Sequence, residues 1–195
     1  MSRFKPNLIK NFISMLIVVI TILIVLFILS NLNKQPSNKI MIGGSFNLVD
    51  HNGNNYLSQN IKKNKVIYFG YTFCPDICPL DVLKISNFIE ENKTLLSKTD
   101  FIFITVDPER DDTNQMNNFL SNFDGNLIGL TGDPKDVSNV LRTFRIYVKK
   151  NKEGASSNEY LVDHSSLIFL LDKNDVYIAH FSPKDFEQHI FNYLH

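Results

Sequence analysis

One apolar run stands apart from the rest of the chain: Phe12 to Ser30, FISMLIVVITILIVLFILS, within a stretch from Asn11 to Asn33 that holds no charged residue. A helix needs about 20 apolar residues to cross a bilayer, so the run is long enough to span one. A cleaved signal peptide has a shorter apolar core, roughly 7–15 residues, ending at small residues of the A-x-A kind. Here the first alanine is Ala155, and Ser30-Asn31-Leu32-Asn33 is a poor cleavage site, so a retained anchor is expected. Arg3, Lys5 and Lys10 precede the run, against Lys34 and Lys39 after it. The positive flank normally stays in the cytoplasm, which sends the remainder to the periplasm or an equivalent compartment. Residues 1–33 therefore read as a cytoplasmic stub and single-pass anchor in the inner (cytoplasmic) membrane. Lys34 to Ile42 (KQPSNKIMI) reads as a polar linker, and 43–195 as one domain.

Beyond the linker, short apolar runs alternate with segments of helical period. Gly43-Gly44, SFNLVD, HNGNN and Tyr56-Leu57 suggest a hairpin turning at Asn52-Gly53. KVIYFGYTF (Lys65 to Phe73) and FIFITV (Phe101 to Val106) read as buried strands. Between them Val82, Ile85 and Ile89 recur at helical spacing, with Pro79 suited to a first helical position. A helix from about Asp112 to Phe123, the strand LIGLTG, and a helix capped by Asp133-Pro134 and running to about Phe144 follow. IYVKK and EYLVD flank the polar loop Asn151 to Asn158; SLIFLLD and VYIAHF form another hairpin; Ser182 to Asp185 cap a last helix carrying Phe186, Ile190 and Leu194. Strands alternating with helices, closed by a hairpin, imply an α/β fold with a mixed sheet covered on both faces. A cysteine pair just after the first long strand, at a helix start, is the thioredoxin-like arrangement.

Composition removes two classes of function. Formal net charge is zero and the basic residues are scattered, leaving no basic stripe for nucleic acid. Only two cysteines occur, Cys74 and Cys78, too few and too close for a disulfide-built scaffold. A staple across so short a loop contributes only roughly 2 kcal/mol in the chain-entropy model. Positions i and i+4 on a helix lie about 5–6 Å apart at Cβ, so both sulfurs can reach one metal ion. The same spacing also permits a disulfide, and a helix N-terminus favours thiolate for either use. Two thiolates suit Cu(I) or Zn, but a closed zinc site wants four protein ligands. Of the five histidines, His51, His189 and His195 read as surface residues, and His180 as the end of a strand. His164 stands where a hairpin leads into a core strand, the stretch at which thioredoxin-like domains approach their cysteines; the residues alone leave it open as ligand or exposed side chain.

FGYTFCPDICP, TVDPERD (Thr105 to Asp111), LTG (Leu130 to Gly132), LVDHSS and GGSFNLVDHNG together resemble, in order, the blocks of the Sco/SenC family of copper chaperones. The resemblance runs from Gly43 almost to the C-terminus. It implies copper bound as Cu(I), or Cu(II), by Cys74, Cys78 and His164, with Asp107 of the DPERD block a second-shell partner that orients the histidine or tunes the thiols; Asp163 is a lesser candidate, and a loop cap beside Pro108 is the plainer role for Asp107. It further implies assembly of the copper A centre of cytochrome c oxidase, the partners being the oxidase's copper-binding subunit and an upstream copper donor or thiol reductant. The rival expectation is an enzyme, a periplasmic thiol–disulfide oxidoreductase using the same cysteines.

Overall fold

A computed structural model describes residues 6–32, 42–151 and 160–194. The linker before Ile42, the hairpin loop after Asn151 and His195 lie outside the described residues. Contacts divide the chain into two units, Met1–Ile40 and Met41–His195. The first contains α1 (Pro6–Leu32). Within it, Lys10–Ile28 has a mean hydropathy of 3.0 and is long and apolar enough to cross a membrane.

The second unit is built on a seven-stranded mixed sheet, flanked by helices. In chain order its elements are β1 (Asn47–Asp50), β2 (Asn55–Leu57), β3 (Asn64–Gly70), α2 (Ile77–Glu91), β4 (Thr99–Thr105), α3 (Thr113–Leu120), β5 (Leu127–Thr131), α4 (Pro134–Thr143), β6 (Val148–Asn151), β7 (Leu161–His164), β8 (Ile168–Leu171), β9 (Tyr177–Phe181) and α5 (Phe186–His189). The strand order is β2-β1-β5-β4-β3-β8-β9, with β3, β4 and β5 mutually parallel and the flanking strands antiparallel. β6 and β7 form a separate two-stranded sheet.

The central strands are apolar at almost every position because both sheet faces are covered. From β3, Ile67 and Phe69 enter a cluster with Phe144 and Phe169, while Val66 and Tyr68 enter another with Val82, Phe88 and Phe186. Period-2 alternation is therefore absent, as expected of strands buried on both sides. In the β1–β2 turn the Asp50 carboxylate accepts the N–H groups of Asn52 and Asn54, and Gly53 takes φ +85°, so the Asn-Gly turn forms where expected.

Element ends differ from expectation in three places. α2 begins at Ile77, so Pro79 is its third residue; the first-turn N–H groups have no intrahelical acceptor, and a proline there sacrifices nothing. α3 closes at Leu120, short of Phe123, because the chain turns towards Gly125, whose φ is +88°. The last helix is only Phe186–His189 followed by a 3₁₀ turn over Ile190–Asn192, yet Phe186 and Ile190 are buried as their spacing predicts.

A buried ion pair crosses the sheet's underside: Lys65 Nζ lies 2.6 Å from Asp175 Oδ1, with both side chains inaccessible, and Ser58 donates to the same carboxylate at 2.7 Å. Removing one partner strands the other charge in the interior. Lys65→Met is expected to cost about 3–5 kcal/mol in urea unfolding, whereas the double change Lys65→Met with Asp175→Asn, which removes the stranded charge and suits the φ of +63° at this position, should recover part of the loss.

Candidate metal centre

β3 ends at Gly70, and Tyr71 to Asp76 form the loop that carries Cys74 to the start of α2. Gly70 sits where only glycine fits: a Cβ there would lie 2.8 Å from the Phe103 ring and 3.2 Å from Cys78 Sγ. The sulfur of Cys78 thus packs directly against the β3 backbone, fully buried, while Cys74 is partly exposed. Both thiols are free.

Their surroundings split them chemically. Burial pushes the Cys74 thiol up, but the N–H groups of Asp76, Cys78 and Ile77 at the helix start, with the Cys78 thiol, outweigh it and leave its pKa below the ordinary value. Burial dominates at Cys78 and pushes its pKa up to about 12. The helix start thus favours the Cys74 thiolate, whereas burial favours the protonated Cys78 thiol.

His164, the last residue of β7, meets Cys78: its Nε2 lies 3.3 Å from Cys78 Sγ, across 86 positions of sequence. Its Nδ1 lies 3.1 Å from the Ser165 carbonyl oxygen, which can only accept, so Nδ1 carries the proton and Nε2 presents its lone pair. Burial, opposed by that carbonyl and by the charges of Asp81 and Asp163, holds the imidazole pKa below its usual value, so the ring is neutral at pH 7. The ring of Tyr71 stands edge-on to it at 6.0 Å, and the Tyr71 hydroxyl accepts the Val162 N–H of the same strand.

Two sulfurs and one imidazole are donors for a soft or borderline cation. Among the described residues, no three or more His, Cys, Asp or Glu side chains already converge as a cage. Cys78 is in contact with His164, and its thiol also bonds the partly exposed Cys74 thiol, so Cys78 is common to both contacts. Such a set is accessible to an incoming cation or thiol, unlike a closed four-ligand site.

Asp107 occupies a different position from the one expected of it. Its carboxylate accepts from Arg110 (2.5 Å) and Tyr160 (2.7 Å) and pairs with Lys150 at 3.1 Å; it meets none of Cys74, Cys78 or His164. The bond that orients the imidazole comes from Ser165 instead. Asp107 acts on the loops: Arg110, paired to it, stacks 3.7 Å over Tyr160 and 4.9 Å over Phe73, the neighbour of Cys74. Asp163 bonds Asn151 on the facing strand. His51 is not a free surface side chain, since its Nδ1 accepts the Gly129 N–H at 3.0 Å; His180 is exposed beside Tyr177, and His189 is exposed. Sequence reasoning passed over Gly70, Tyr71 and Asp81. The first two lie within the quoted FGYTF block, but nothing in a linear pattern marks which of its residues touches a ligand.

The SCO1/SenC family model matches residues 34–195. An SCO2-like protein of Rickettsia prowazekii is 38% identical over 148 residues, covering 74% of this chain and 71% of its own. Among solved structures, Bradyrhizobium japonicum ScoI with copper bound shares 38% identity with a TM-score of 0.70, covering 78% of this chain and 99% of that one. Yeast Sco1 with copper bound shares 30% identity with a TM-score of 0.69, covering 78% and 88%. The mixed sheet and its helices are the thioredoxin-like fold of those proteins.

The split between the thiols has a direct readout. Iodoacetamide should modify Cys74 at least about tenfold faster than Cys78 in the folded chain, measured by peptide mass spectrometry, because Cys74 is accessible with a lowered pKa while Cys78 is buried with a raised one. Equal rates, with the fold intact, would contradict the asymmetry.

Proposed function

The chain belongs to the SCO1/SenC family, and from that membership we propose that it is a membrane-anchored copper chaperone holding one copper ion through Cys74, Cys78 and His164. The observation that carries the reading is the 3.3 Å approach of His164 Nε2 to Cys78 Sγ, in the first turn of the helix that the Cys74 loop leads into. Residues 43–195 are the copper-carrying domain, 34–42 the linker and 1–33 the stub and anchor. The apolar Lys10–Ile28 segment, with its more basic leading flank, supports a periplasmic or equivalent side for the domain. The cargo is passed to the copper A centre of cytochrome c oxidase, a membrane-bound acceptor that a tethered donor searches for in two dimensions.

Transfer proceeds by ligand exchange. Cys74, partly exposed and the better leaving thiolate, is displaced first by an incoming thiolate of the acceptor. Cys78 and His164 retain the ion until a second acceptor ligand arrives, and Cys78 then recovers a proton, as its raised pKa favours. Copper is never released to water.

The thiol split also favours a second reading, a thiol–disulfide oxidoreductase in which Cys74 attacks and Cys78 resolves. Cu(I) titration of the reduced full-length chain in detergent, against a chromophoric chelator, separates the two. One copper per chain is expected, lost alike in Cys74→Ser, Cys78→Ser and His164→Ala. Disulfide exchange without Cu(I) binding, or a His164→Ala variant of unchanged affinity, would leave the oxidoreductase.

The pH dependence follows from the shifts. Each proton displaced by the metal steepens affinity by about tenfold per pH unit. Above the lowered Cys74 pKa only the Cys78 proton is displaced, so affinity rises about one decade per unit. Below it the slope becomes about two, and His164 adds a third only once the pH falls through its own depressed pKa. A flat profile between pH 6 and 8 in the same competition assay would show that Cys78 is not a ligand.

A further inference from the structure

His164 ends β7, which among the described residues pairs only with β6, in a two-stranded sheet apart from the main one. The Tyr71 hydroxyl accepts the Val162 N–H and ties β7 to the cysteine loop, but neither this bond nor the β6 pairing sets the distance from His164 to α2. A metal ligand needs placement to within about 0.5 Å.

A hydrogen bond to α2 spans that gap. Asp81 lies one turn after Cys78 on α2 and is 7% exposed. Its Oδ2 accepts two hydroxyls, that of Tyr68 on β3 and that of Ser166, two residues after His164, each at 3.0 Å. Among the described residues, no lysine or arginine pairs with this carboxylate. Burying a carboxylate with hydroxyl donors alone is costly, and a leucine would fill the space at less expense. Packing therefore gives no reason for an acid at this position. The contacts do, because they close a ring: Cys78 to Asp81 along the helix, Asp81 to Ser166, Ser166 back to His164, and His164 Nε2 to Cys78 Sγ.

We propose that Asp81 is a positioning residue of the metal centre, whose single oxygen ties Ser166 to α2 and so sets the reach of His164 to Cys78. This rests on the copper reading above. It makes the acceptor oxygen, rather than the charge, the working part, since both hydroxyls converge on the same atom.

The test is Cu(I) competition on the full-length chain, with far-UV circular dichroism and the urea midpoint recorded for each variant. Asp81→Leu and Ser166→Ala should weaken Cu(I) binding by about 10–100-fold, the range for loss of a group that orients a ligand. Asp81→Asn, which keeps an oxygen for both hydroxyls, should stay close to the unmutated protein. Loaded with Cu(II), the first two variants should shift the thiolate-to-copper charge-transfer band, and Asp81→Asn should not. Ser166→Ala is the arm least prone to disturb folding. An unchanged affinity in Ser166→Ala, or an Asp81→Asn as weak as Asp81→Leu, would overturn the inference while the copper reading stands. Absence of Cu(I) binding in the unmutated chain would remove both.

Discussion

β3 lies between a parallel neighbour and an antiparallel one, and the site depends on that difference. β4 runs alongside it, while β8 runs against it with Tyr68 opposite Ile168. A parallel partner returns the chain to the far end of the sheet, but an antiparallel partner begins where β3 finishes. The residues just before Ile168 are therefore delivered to the place where β3 opens into the cysteine loop. Six positions beyond Tyr68 is Cys74; four before Ile168 is His164. The pairing of two buried strands, held by the packing of Phe69, Phe144 and Phe169, thus does most of the work of bringing sulfur and imidazole together.

The thiols illustrate how one local geometry produces two chemistries. Cys74 stands at the mouth of α2, where N–H groups without helical acceptors stabilise negative charge. Cys78, one turn on, has its sulfur against the backbone of Gly70 in the apolar cluster, where burial outweighs its neighbours. One thiol is thus accessible with a lowered pKa, and the other is buried with a raised one.

The surrounding polar groups brace the loops. Asp111 accepts the Thr72 N–H and the Thr72 and Thr105 hydroxyls, fastening the cysteine loop to the end of β4. Asp107 draws in Arg110, Lys150 and Tyr160, linking the DPERD loop to the hairpin that presents His164. Multiply bonded buried carboxylates give direction and register that apolar packing alone does not.

Much of this protein is legible in its linear pattern. The apolar segment from Phe12, the double-faced strands, the Asn52-Gly53 turn and the Asp133-Pro134 helix start each follow from local physics acting over a few residues. The cysteine spacing suggests one helical turn, but α2 starts only at Ile77, so Cys74 lies in the loop before it. What spacing could not decide is which distant groups meet there. The resemblance offers Asp107 as a partner of the histidine or the thiols, and its place beside Pro108 offers a loop role; its carboxylate bonds Arg110, Tyr160 and Lys150, while the carbonyl of Ser165 lies against the imidazole. His51 reads as solvated and is instead an acceptor for Gly129. Asp81 looks like an ordinary polar position on a helix until Tyr68 and Ser166 are seen to share its oxygen. Elements and donor types were set by the sequence within a helical turn or a strand repeat. The partnership of Cys78 with His164, and the identity of the groups that aim and brace it, were decided by strand order and register, which only the tertiary structure contains.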